Sequence, residues 1–485
     1  MNLSFEIILL ICSLLIFSSI IISKISVRFG LPVLLLFLFV GMLFGTDGLG
    51  IHYDNVSSAQ QIGTIALCII LFSGGMNTSI KEIKPILWQG ITLSTIGVLL
   101  TTIFTGLFIY WISSFTHSSI SFTLIGAMLL AATMSSTDSA SVFNILRSQK
   151  MHLKYNLRPL LEFESGSNDP MAYLLTILLI SSIQIGEFNT LNVIIDFFIQ
   201  FCVGAAGGLL FGYGLVYFTN KIKLNNHELY PLLALCAVFL IFTIVYYLKG
   251  NGFLAVYLAG MVSGNKKIVN KRETNTFLDG VTWLFQIIMF VTLGLLVNPH
   301  EMADIALVGI LIGLFLILIG RPLSVLLCML PFGKRVRKRS IIFTSLVGLR
   351  GAVPIIFATY PVVAEIEFAN QIFNIVFFIT ILSLLLQGMS IPFFAKKLHL
   401  SEPLVEEKNH LGIELPDETN SKLYEVVFDE NLATNGNTLK DMSLPKGVLV
   451  MMIKRGEKYM IPNGNFKLHV NDILLVVSKK VEDDL

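Results

Sequence analysis

Acidic side chains stand among hydroxyl residues inside stretches of this chain that are otherwise apolar. Asp138 lies in the run Ala132–Ser141, where every other polar residue is Ser or Thr. Hydroxyls that hydrogen-bond to their own backbone favour local unwinding of a helix, and unwound backbone offers oxygen ligands to a cation. The alternative is a helix interface packed through small residues, which Ser, Thr and Ala also favour. The carboxylate of Asp138 favours the cation site, because an ionisable group is costly inside an apolar segment.

A second acidic cluster surrounds Pro170, which removes one backbone donor and frees a carbonyl about a turn earlier in a helix. Glu164 and Asp169 are five residues apart, so on an ideal helix they point about 140° apart and need not face one partner. Asp169 lies deeper in its apolar segment and is the better candidate for an ion site. Glu162 follows Arg158 by four residues and is predicted to form a structural pair near the surface.

A third polar cluster contains Arg350 within the sequence Gly348–Pro354. Gly351 and Pro354 disfavour a regular helix, so this segment is predicted to be interrupted. A buried guanidinium needs an acidic or carbonyl partner. Glu164 is the carboxylate predicted to pair with Arg350.

The composition shows what kind of element must carry these clusters. Apolar residues make up 54% of the chain and charged residues 14%, with a mean hydropathy of +0.77. Water-soluble proteins contain about 25% charged residues, so most of this chain is expected to lie in lipid. A helix needs about 20 apolar residues to cross about 30 Å of hydrocarbon. Thirteen segments are predicted to cross, near 5–23, 31–46, 59–77, 87–111, 121–145, 159–182, 190–219, 230–248, 252–264, 277–297, 303–331, 341–363 and 369–395.

The basic residues of the connections test this count, because Lys and Arg are enriched in cytoplasmic loops. They alternate from loop to loop, and of the opposite loops only one contains a basic residue, Lys249. Arg321 and Arg350 lie inside apolar segments instead. Thirteen spans therefore predict an N-terminus outside and a C-terminal tail in the cytoplasm.

The predicted fold class is an all-α polytopic membrane protein with a small cytosolic α/β domain at its C-terminus. The fifth and twelfth segments are seven spans apart, so they cross the membrane in opposite directions. Both are predicted to be interrupted, and interrupted helices at corresponding positions indicate inverted repeats that meet at a midplane site. The predicted architecture is six spans, one linking span and six further spans.

The composition changes after Leu398, which divides the chain into a transmembrane domain (1–397), a linker (398–420) and a soluble domain (421–485). Short β-like runs bounded by turn sequences predict a small sheet in the soluble domain. These runs are Leu423–Phe428, Val448–Ile453, Lys458–Ile461 and Asp472–Val477. The tail has no Gly-x-Gly-x-x-Gly after a strand, so no dinucleotide cofactor is predicted.

Three ordered motifs together resemble those of the first family of monovalent cation:proton antiporters. They are Thr137-Asp138, the sequence from Glu164 to Pro170, and the sequence from Gly348 to Pro354. The tail from about Tyr424 to Val477 resembles the TrkA-C domain, the C-terminal half of potassium-conductance regulator modules. With both parts, the chain looks most like the bacterial potassium/proton antiporters of the NhaP type.

This resemblance implies roles for individual residues. In that family the aspartate matching Asp169 carries the ion or proton, and the residues matching Glu164 and Arg350 form a supporting ion pair. Asn168 marks the branch, because electrogenic relatives have a second aspartate there. The predicted cation- and proton-binding residues are therefore Thr137, Asp138, Ser165, Asn168 and Asp169. Pro170, Gly351 and Pro354 are predicted to break the helices at the site.

Two departures from the family pattern bear on the cation. Ser139 stands where the family often has proline, and the third-segment sequence Phe72–Gly75 lacks the acid that the family often has. Both Na⁺ and K⁺ take oxygen ligands, so the residues leave the choice open, and we expect K⁺ first and Na⁺ second.

The sequence thus predicts exchange of a monovalent cation for a proton, without ATP, since no P-loop is present. One rival hypothesis is a cation channel gated by the tail, although the chain lacks a Thr-Val-Gly-Tyr-Gly-like filter. Another is a sodium-coupled solute symporter on a similar inverted-repeat scaffold. An enzyme is not expected, because the histidines show no metal-ligand spacing.

Further expectations concern surroundings and partners. The resemblance implies a bacterial inner membrane, a homodimer, and regulation of cytoplasmic pH and cation content. No cofactor, nucleic-acid partner or metal other than the transported cation is predicted. For residues 421–485 two interpretations stay open, a domain that binds a small effector and a tether that only promotes assembly.

Overall fold

The computed structural model describes most of the chain in eight stretches. These are residues 5–29, 32–115, 122–186, 190–403, 422–428, 438–440, 448–456 and 458–478. The chain forms two compact units, residues 1–403 and 404–485. Each unit is described by itself.

The first unit is helical. Its first six helices are α1 (Phe5–Phe29), α2 (Val33–Phe44), α3 (Val56–Asn77), α4 (Ile80–Ile83), α5 (Leu87–Thr92) and α6 (Val98–Phe115). The next six are α7 (Leu124–Thr133), α8 (Ser139–Ser148), α9 (Leu157–Ile185), α10 (Thr190–Ile222), α11 (Leu229–Tyr247) and α12 (Gly252–Asn265). The last six are α13 (Lys271–Leu295), α14 (Met302–Phe315), α15 (Arg321–Met329), α16 (Lys338–Leu346), α17 (Ala352–Val363) and α18 (Ala369–Lys397).

Seven helical segments in the described part of the chain are long and apolar enough to cross a membrane. They are Val56–Asn77, Ile80–Ser114, Leu191–Ile222, Leu229–Tyr247, Lys271–Leu295, Ile305–Gly333 and Ala369–Lys397. Shorter apolar helices accompany them, among them α2, α7, α12 and α17. The chain is therefore a multi-pass helical membrane protein, as the composition predicts.

Two pairs of irregularities recur along this unit. A π turn at Leu93–Gly97 joins α5 to α6, and a second at Leu316–Gly320 joins α14 to α15. Non-helical segments then separate α7 from α8 and α16 from α17. The order of π turn and break is the same in both halves. The predicted interruptions of the fifth and twelfth segments are therefore present in the structure.

Small residues allow close approach between α3 and α12. A Cβ at Gly260 would overlap the backbone of Phe72, and one at Gly264 would overlap the backbone of Met76. Helices in lipid gain most of their association energy from such close packing, because lipid provides no hydrophobic drive between them. These contacts hold α12 firmly against α3.

A small two-stranded sheet joins the end of this unit to an earlier loop. Strand β1 (Met151–Leu153), between α8 and α9, pairs antiparallel with β2 (Ser401–Pro403) after α18. The Lys154 amide donates to the Leu400 carbonyl at 2.9 Å. The predicted linker 398–420 therefore begins with an ordered strand, because its backbone finds a partner strand in the membrane unit. Residues 404–420 lie outside the described residues.

The second unit contains a four-stranded antiparallel sheet in the order β3-β6-β4-β5. The strands are β3 (Lys422–Val427), β4 (Val448–Arg455), β5 (Lys458–Met460) and β6 (Ile473–Ser478). They confirm the predicted β runs to within two residues. Phe428, Ile453, Leu468, Leu474 and Val476 form its buried core.

Candidate ion-binding site

The break between α7 and α8 is shaped by Asp138. Its Oδ1 accepts from the backbone N–H of Ser141 at 3.1 Å, and its Oδ2 accepts from the Ser141 hydroxyl at 2.5 Å. Aspartate is a favoured N-cap, because its carboxylate satisfies an N–H of the first turn that has no partner within the helix. The Asp138 amide donates to the Leu349 carbonyl at 2.8 Å. The two helix breaks therefore touch at this residue.

The break between α16 and α17 holds Arg350, whose side chain is only 2% exposed. Its Nη1 donates to the Ser136 carbonyl at 2.6 Å, and its backbone N–H donates to the Ser383 hydroxyl at 3.0 Å. A Cβ at Gly351 would overlap the carboxylate of Asp138. Glycine is required there because the two breaks approach so closely.

Helix α9 brings Asp169 to the α7–α8 break. The Asp169 side chain is 7% exposed, and its Oδ1 accepts a short hydrogen bond from the Ser136 hydroxyl. Ser165, one turn earlier, donates its hydroxyl to the Thr137 carbonyl at 2.7 Å and accepts from the Ser139 amide at 3.1 Å. Hydroxyls of α9 and of the break thus replace the backbone bonds that the unwound segment has lost.

Asn168 completes the set of predicted residues. Its Nδ2 donates to the Thr137 hydroxyl at 2.6 Å, while its Oδ1 is buried and has no hydrogen-bond partner in the described stretches. A buried carbonyl oxygen without a donor is costly unless something binds it. Together with the Asp169 carboxylate it offers oxygen ligands, which suit an alkali cation. The structure therefore brings together all five residues predicted for the site.

The partner of Glu164 differs from the predicted one. Glu164 forms a short buried ion pair with Arg321, not with Arg350. Arg321 is the first residue of α15, directly after the π turn, and it passes along Gly348, which has no side chain to block it. Arg350 is already engaged by the Ser136 carbonyl. The sequence marked Arg321 as a charge inside an apolar segment but gave no indication of its partner.

Of the three residues predicted to break helices, two lie inside helices instead. Pro170 lies inside α9, which continues without interruption from Leu157 to Ile185, so it does not break the helix. Proline is tolerated in membrane helices where neighbouring groups satisfy the freed backbone atoms. Pro354 lies in the first turn of α17, where its missing N–H would have no partner within the helix. Only Gly351 occupies a break itself.

Asp279 on α13 is a further carboxylate near these helices, and nothing in its local sequence singles it out. Asp279 Oδ1 accepts from the Ser73 hydroxyl at 3.2 Å and from Asn77 Nδ2 at 3.5 Å. Ser73 belongs to the α3 sequence Phe72–Gly75, which lacks an acid. An acidic group is therefore present beside this sequence, supplied by another helix.

A cavity of about 550 Å³ lies beside α8. Helices α1, α2 and α13 form its other walls, mostly with apolar side chains. The α8 wall contributes Ser141, Asn144 and Ser148, which share one helix face. Ser141 also binds Asp138, so the cavity extends to the edge of the candidate site.

The residues that form this site belong to a segment shared with a known protein family. Residues 13–397 match the transmembrane domain of sodium/hydrogen exchangers. The chain belongs to the sodium/hydrogen exchanger family. Within the tail of this exchanger-family chain, residues 423–482 match the TrkA-C domain.

Curated relatives are similar along almost the whole exchanger chain. It is 37% identical over 477 residues to the K(+)/H(+) antiporter NhaP2 of Shewanella sp. (strain ANA-3), covering 97% of this chain and 81% of the relative. It is 36% identical over 488 residues to the K(+)/H(+) antiporter NhaP of Alkalimonas amylolytica, covering 98% and 81%. The sodium proton antiporter MjNhaP1 from Methanocaldococcus jannaschii has a similar fold, with a TM-score of 0.68 at 22% identity over 80% of this chain and 97% of that one.

Proposed function

We propose that this protein exchanges K⁺, and with lower preference Na⁺, for protons across a bacterial inner membrane without moving net charge. That it is a cation/proton antiporter follows from its family and from relatives named K(+)/H(+) antiporters. The observation that carries the finer proposal is the buried Asp169 carboxylate, placed against the α7–α8 break next in sequence to Asn168, whose Oδ1 has no partner in the described part of the chain.

Shared occupancy of Asp169 explains exchange. An isolated carboxylate is very costly in a low-dielectric interior, so Asp169 must hold either a proton or a cation while it is shielded from water. If each occupant excludes the other, one proton leaves for every monovalent cation that binds. Asn168 cannot titrate and Asp138 is engaged as the cap of α8, so we assign the whole exchange to Asp169, and the cycle then moves no net charge.

The neighbouring residues hold this carboxylate in place. Thr137 and Ser165 hold the unwound backbone of the break against α9, and Asp138 caps α8 at the end of the break, through the hydrogen bonds already described. Arg350 donates to the Ser136 carbonyl in the same break. The Glu164–Arg321 ion pair connects α9 to α15. We assign these residues to the geometry of the site and Asp169 to transport.

The proposed topology has thirteen spans arranged as two inverted repeats of six helices with one linking span. It is supported by the repeated order of a π turn followed by a helix break, at Leu93–Gly97 with α7–α8 and at Leu316–Gly320 with α16–α17. The alternating loop charges support an outer N-terminus and a cytoplasmic tail. We further propose a homodimer that regulates cytoplasmic pH and cation content.

We also propose that residues 1–397 form the exchanger domain and residues 421–485 a regulatory domain of TrkA-C type that binds a small effector. The match to the TrkA-C domain over 423–482 supports this assignment. A tether that only promotes assembly remains the competing interpretation. Effector binding would change the rate of exchange by the full chain, whereas a tether would leave the rate unchanged.

Proton flux in proteoliposomes tests the proposal. Purified protein is reconstituted with a pH-sensitive dye inside, and K⁺, Na⁺, Li⁺ or Rb⁺ is added as the only cation. We expect proton flux with K⁺ first and Na⁺ second. Cation movement without counterflow of protons would indicate a channel instead. Proton or cation flux that requires an organic solute would indicate a symporter.

A further inference from the structure

Helix α12 is too short to cross a bilayer alone, because its 14 residues span about 21 Å. Asn251, its N-cap, is 1% exposed. The Asn251 Oδ1 accepts from the Leu254 amide at 3.0 Å, and the backbone N–H of Asn251 donates to the Gln200 carbonyl at 2.9 Å. Its side-chain Nδ2 donates to the Pro170 carbonyl at 2.7 Å. The start of α12 is thus bonded to the residue that follows Asp169.

A second contact lies on the other side of Asp169. A Cβ at Gly166 would overlap the ring of Tyr257, so this ring lies directly on the α9 backbone. Asn251 and Tyr257 therefore hold α9 at Pro170 and Gly166, one position after Asp169 and three before it.

These two contacts join two groups of helices, each packed mainly within itself, although α9 also touches α10 and α3. Helix α12 packs mainly against α3 and α10, through glycines such as Gly208 and Gly260 that allow backbone contact. Helix α9 packs mainly against α7 and the π turn that precedes α6. A buried hydrogen bond between the two groups resists their relative movement, because breaking it strands a donor and removes one acceptor interaction.

We propose that Asn251 is a positioning residue for exchange, whose amide holds the Asp169 turn of α9 against α12 in the conformation described and releases it when the site changes access. The inference rests on the proposed function, since alternating access requires one group of helices to move past the other around the site. Asn251 acts through the Pro170 carbonyl and does not itself bind the cation.

Asn251→Ser tests this role with little change to the helix end. Serine is as good an N-cap as asparagine, so the bond from Leu254 is kept, but the shorter side chain does not reach the Pro170 carbonyl. Asn55→Ser is the matched control, because Asn55 caps α3 through the Ser58 amide at 2.9 Å and has no bond to α9. Full-length wild type, both serine variants and Asn251→Ala are reconstituted, and K⁺-driven proton flux is measured over a range of K⁺ concentrations.

We expect Asn251→Ser to raise the half-saturating K⁺ concentration by about two- to tenfold, the factor that corresponds to one buried hydrogen bond, without lowering the maximal rate. Asn55→Ser should match wild type, and Asn251→Ala should show the same shift with lower thermal stability. A half-saturating concentration unchanged in Asn251→Ser would overturn the inference, as would a reduced maximal rate alone. Absence of exchange by wild type would refute the proposed function instead.

Discussion

Asn168 and Asp169 are adjacent on α9, but their side chains give the site different properties. Asp169 is the titrating group of the proposed cycle and accepts from the Ser136 hydroxyl, whereas Asn168 donates to Thr137 and its Oδ1 has no partner among the described residues. The neutral amide is what limits the proposed cycle to one proton for each cation. A second carboxylate at this position would change the charge moved in each cycle.

Asn168→Asp is therefore predicted to make exchange voltage-dependent. The new carboxylate lies beside Asp169 and adds a second titrating group, so each cycle would carry net charge. In proteoliposomes with matched ion gradients, an imposed membrane potential should change the rate of this variant and leave the wild-type rate unaltered. Clear voltage dependence of the wild type would contradict the stoichiometry of one carboxylate.

The Glu164–Arg321 pair predicts a stability difference between two arginine variants. Both partners are almost fully buried, so Arg321→Ala strands the Glu164 carboxylate and should destabilise the protein by about 3–5 kcal/mol. Arg350→Ala removes a donor to a carbonyl and should cost about 1–3 kcal/mol. Thermal unfolding of the purified full-length variants measures both.

A double variant separates the loss of the ion pair from general destabilisation of the fold. Replacing Glu164 by Gln together with Arg321 by Met removes both charges and should restore much of the stability lost in Arg321→Ala, because no charge is left unpaired. Equal melting temperatures for Arg321→Ala and Arg350→Ala would count against this difference between the two arginines.

Which residues gather at the candidate site could be predicted from the sequence, but not which of them are partners. Asp138, Ser165 and Asp169 stand out because polar groups inside apolar segments need a reason to be there. The partner of Glu164 lies 157 residues away and depends on how α9, α15 and the α16–α17 break pack. The sequence favours Arg350 as the partner of Glu164 and gives Arg321 none, because neither local sequence encodes that packing.

At the scale of elements, a residue type that disfavours helix predicts a break only where neighbouring helices do not compensate for the lost backbone bonds. The hydroxyl-rich run before Asp138 and the glycines beside Arg350 do interrupt their helices. Pro170 does not, although proline is the strongest breaker in isolation. The difference arises because α9 is packed on several sides, so neighbours compensate for one missing backbone donor.

Strand β2 predicts different outcomes for two truncations of the tail. Deleting residues 405–485 keeps the pairing of β1 with β2 and the Lys154–Glu402 ion pair at 3.1 Å, so basal exchange should persist. Deleting residues 398–485 also removes β2 and exposes the edge of β1 between α8 and α9. This longer deletion should lower thermal stability and the exchange rate.

Proteoliposome flux and thermal unfolding of both truncated proteins provide the measurement. Loss of exchange by well-inserted protein lacking only residues 405–485 would contradict the separation of the two units. Identical behaviour of the two truncations would show that the β1–β2 pairing contributes nothing to the membrane unit.

The tail sheet carries a pH-dependent contact between β4 and the turn before β6. Burial opposes ionisation of Asp472, but bonds from Arg455 at 2.8 and 2.7 Å and from the His469 amide outweigh it and lower the pKa below its ordinary value of 3.8. A depressed carboxylate pKa stabilises the fold above the ordinary value, and this contribution is lost as pH falls through the lower, folded value.

Amide hydrogen exchange of the full chain tests this contact. Protection of β4 and β6 should be constant near neutral pH and fall as the pH drops below about 3.8. Asp472→Asn should already show reduced protection at neutral pH, because the amide cannot accept both bonds from the guanidinium. Unchanged protection in that variant would mean that the pair does not stabilise the sheet.

At the scale of the whole molecule, the sequence predicts a multi-pass helical membrane protein well, because hydropathy is summed over many residues. It predicts contacts between distant segments poorly. The Asn251 bond to Pro170 and the pairing of β1 with β2 join residues far apart in the chain, and nothing in their local sequence indicates a partner.

The central claim is that one carboxylate carries both substrates, and Asp169→Asn tests it most directly. The variant keeps the shape of the side chain and can still pair with Ser136, so correct insertion is expected and is checked by thermal unfolding of the purified protein. In proteoliposomes, both K⁺-driven proton flux and proton-driven K⁺ flux should fall to the level of empty liposomes. Retained exchange by well-folded Asp169→Asn protein would contradict the account.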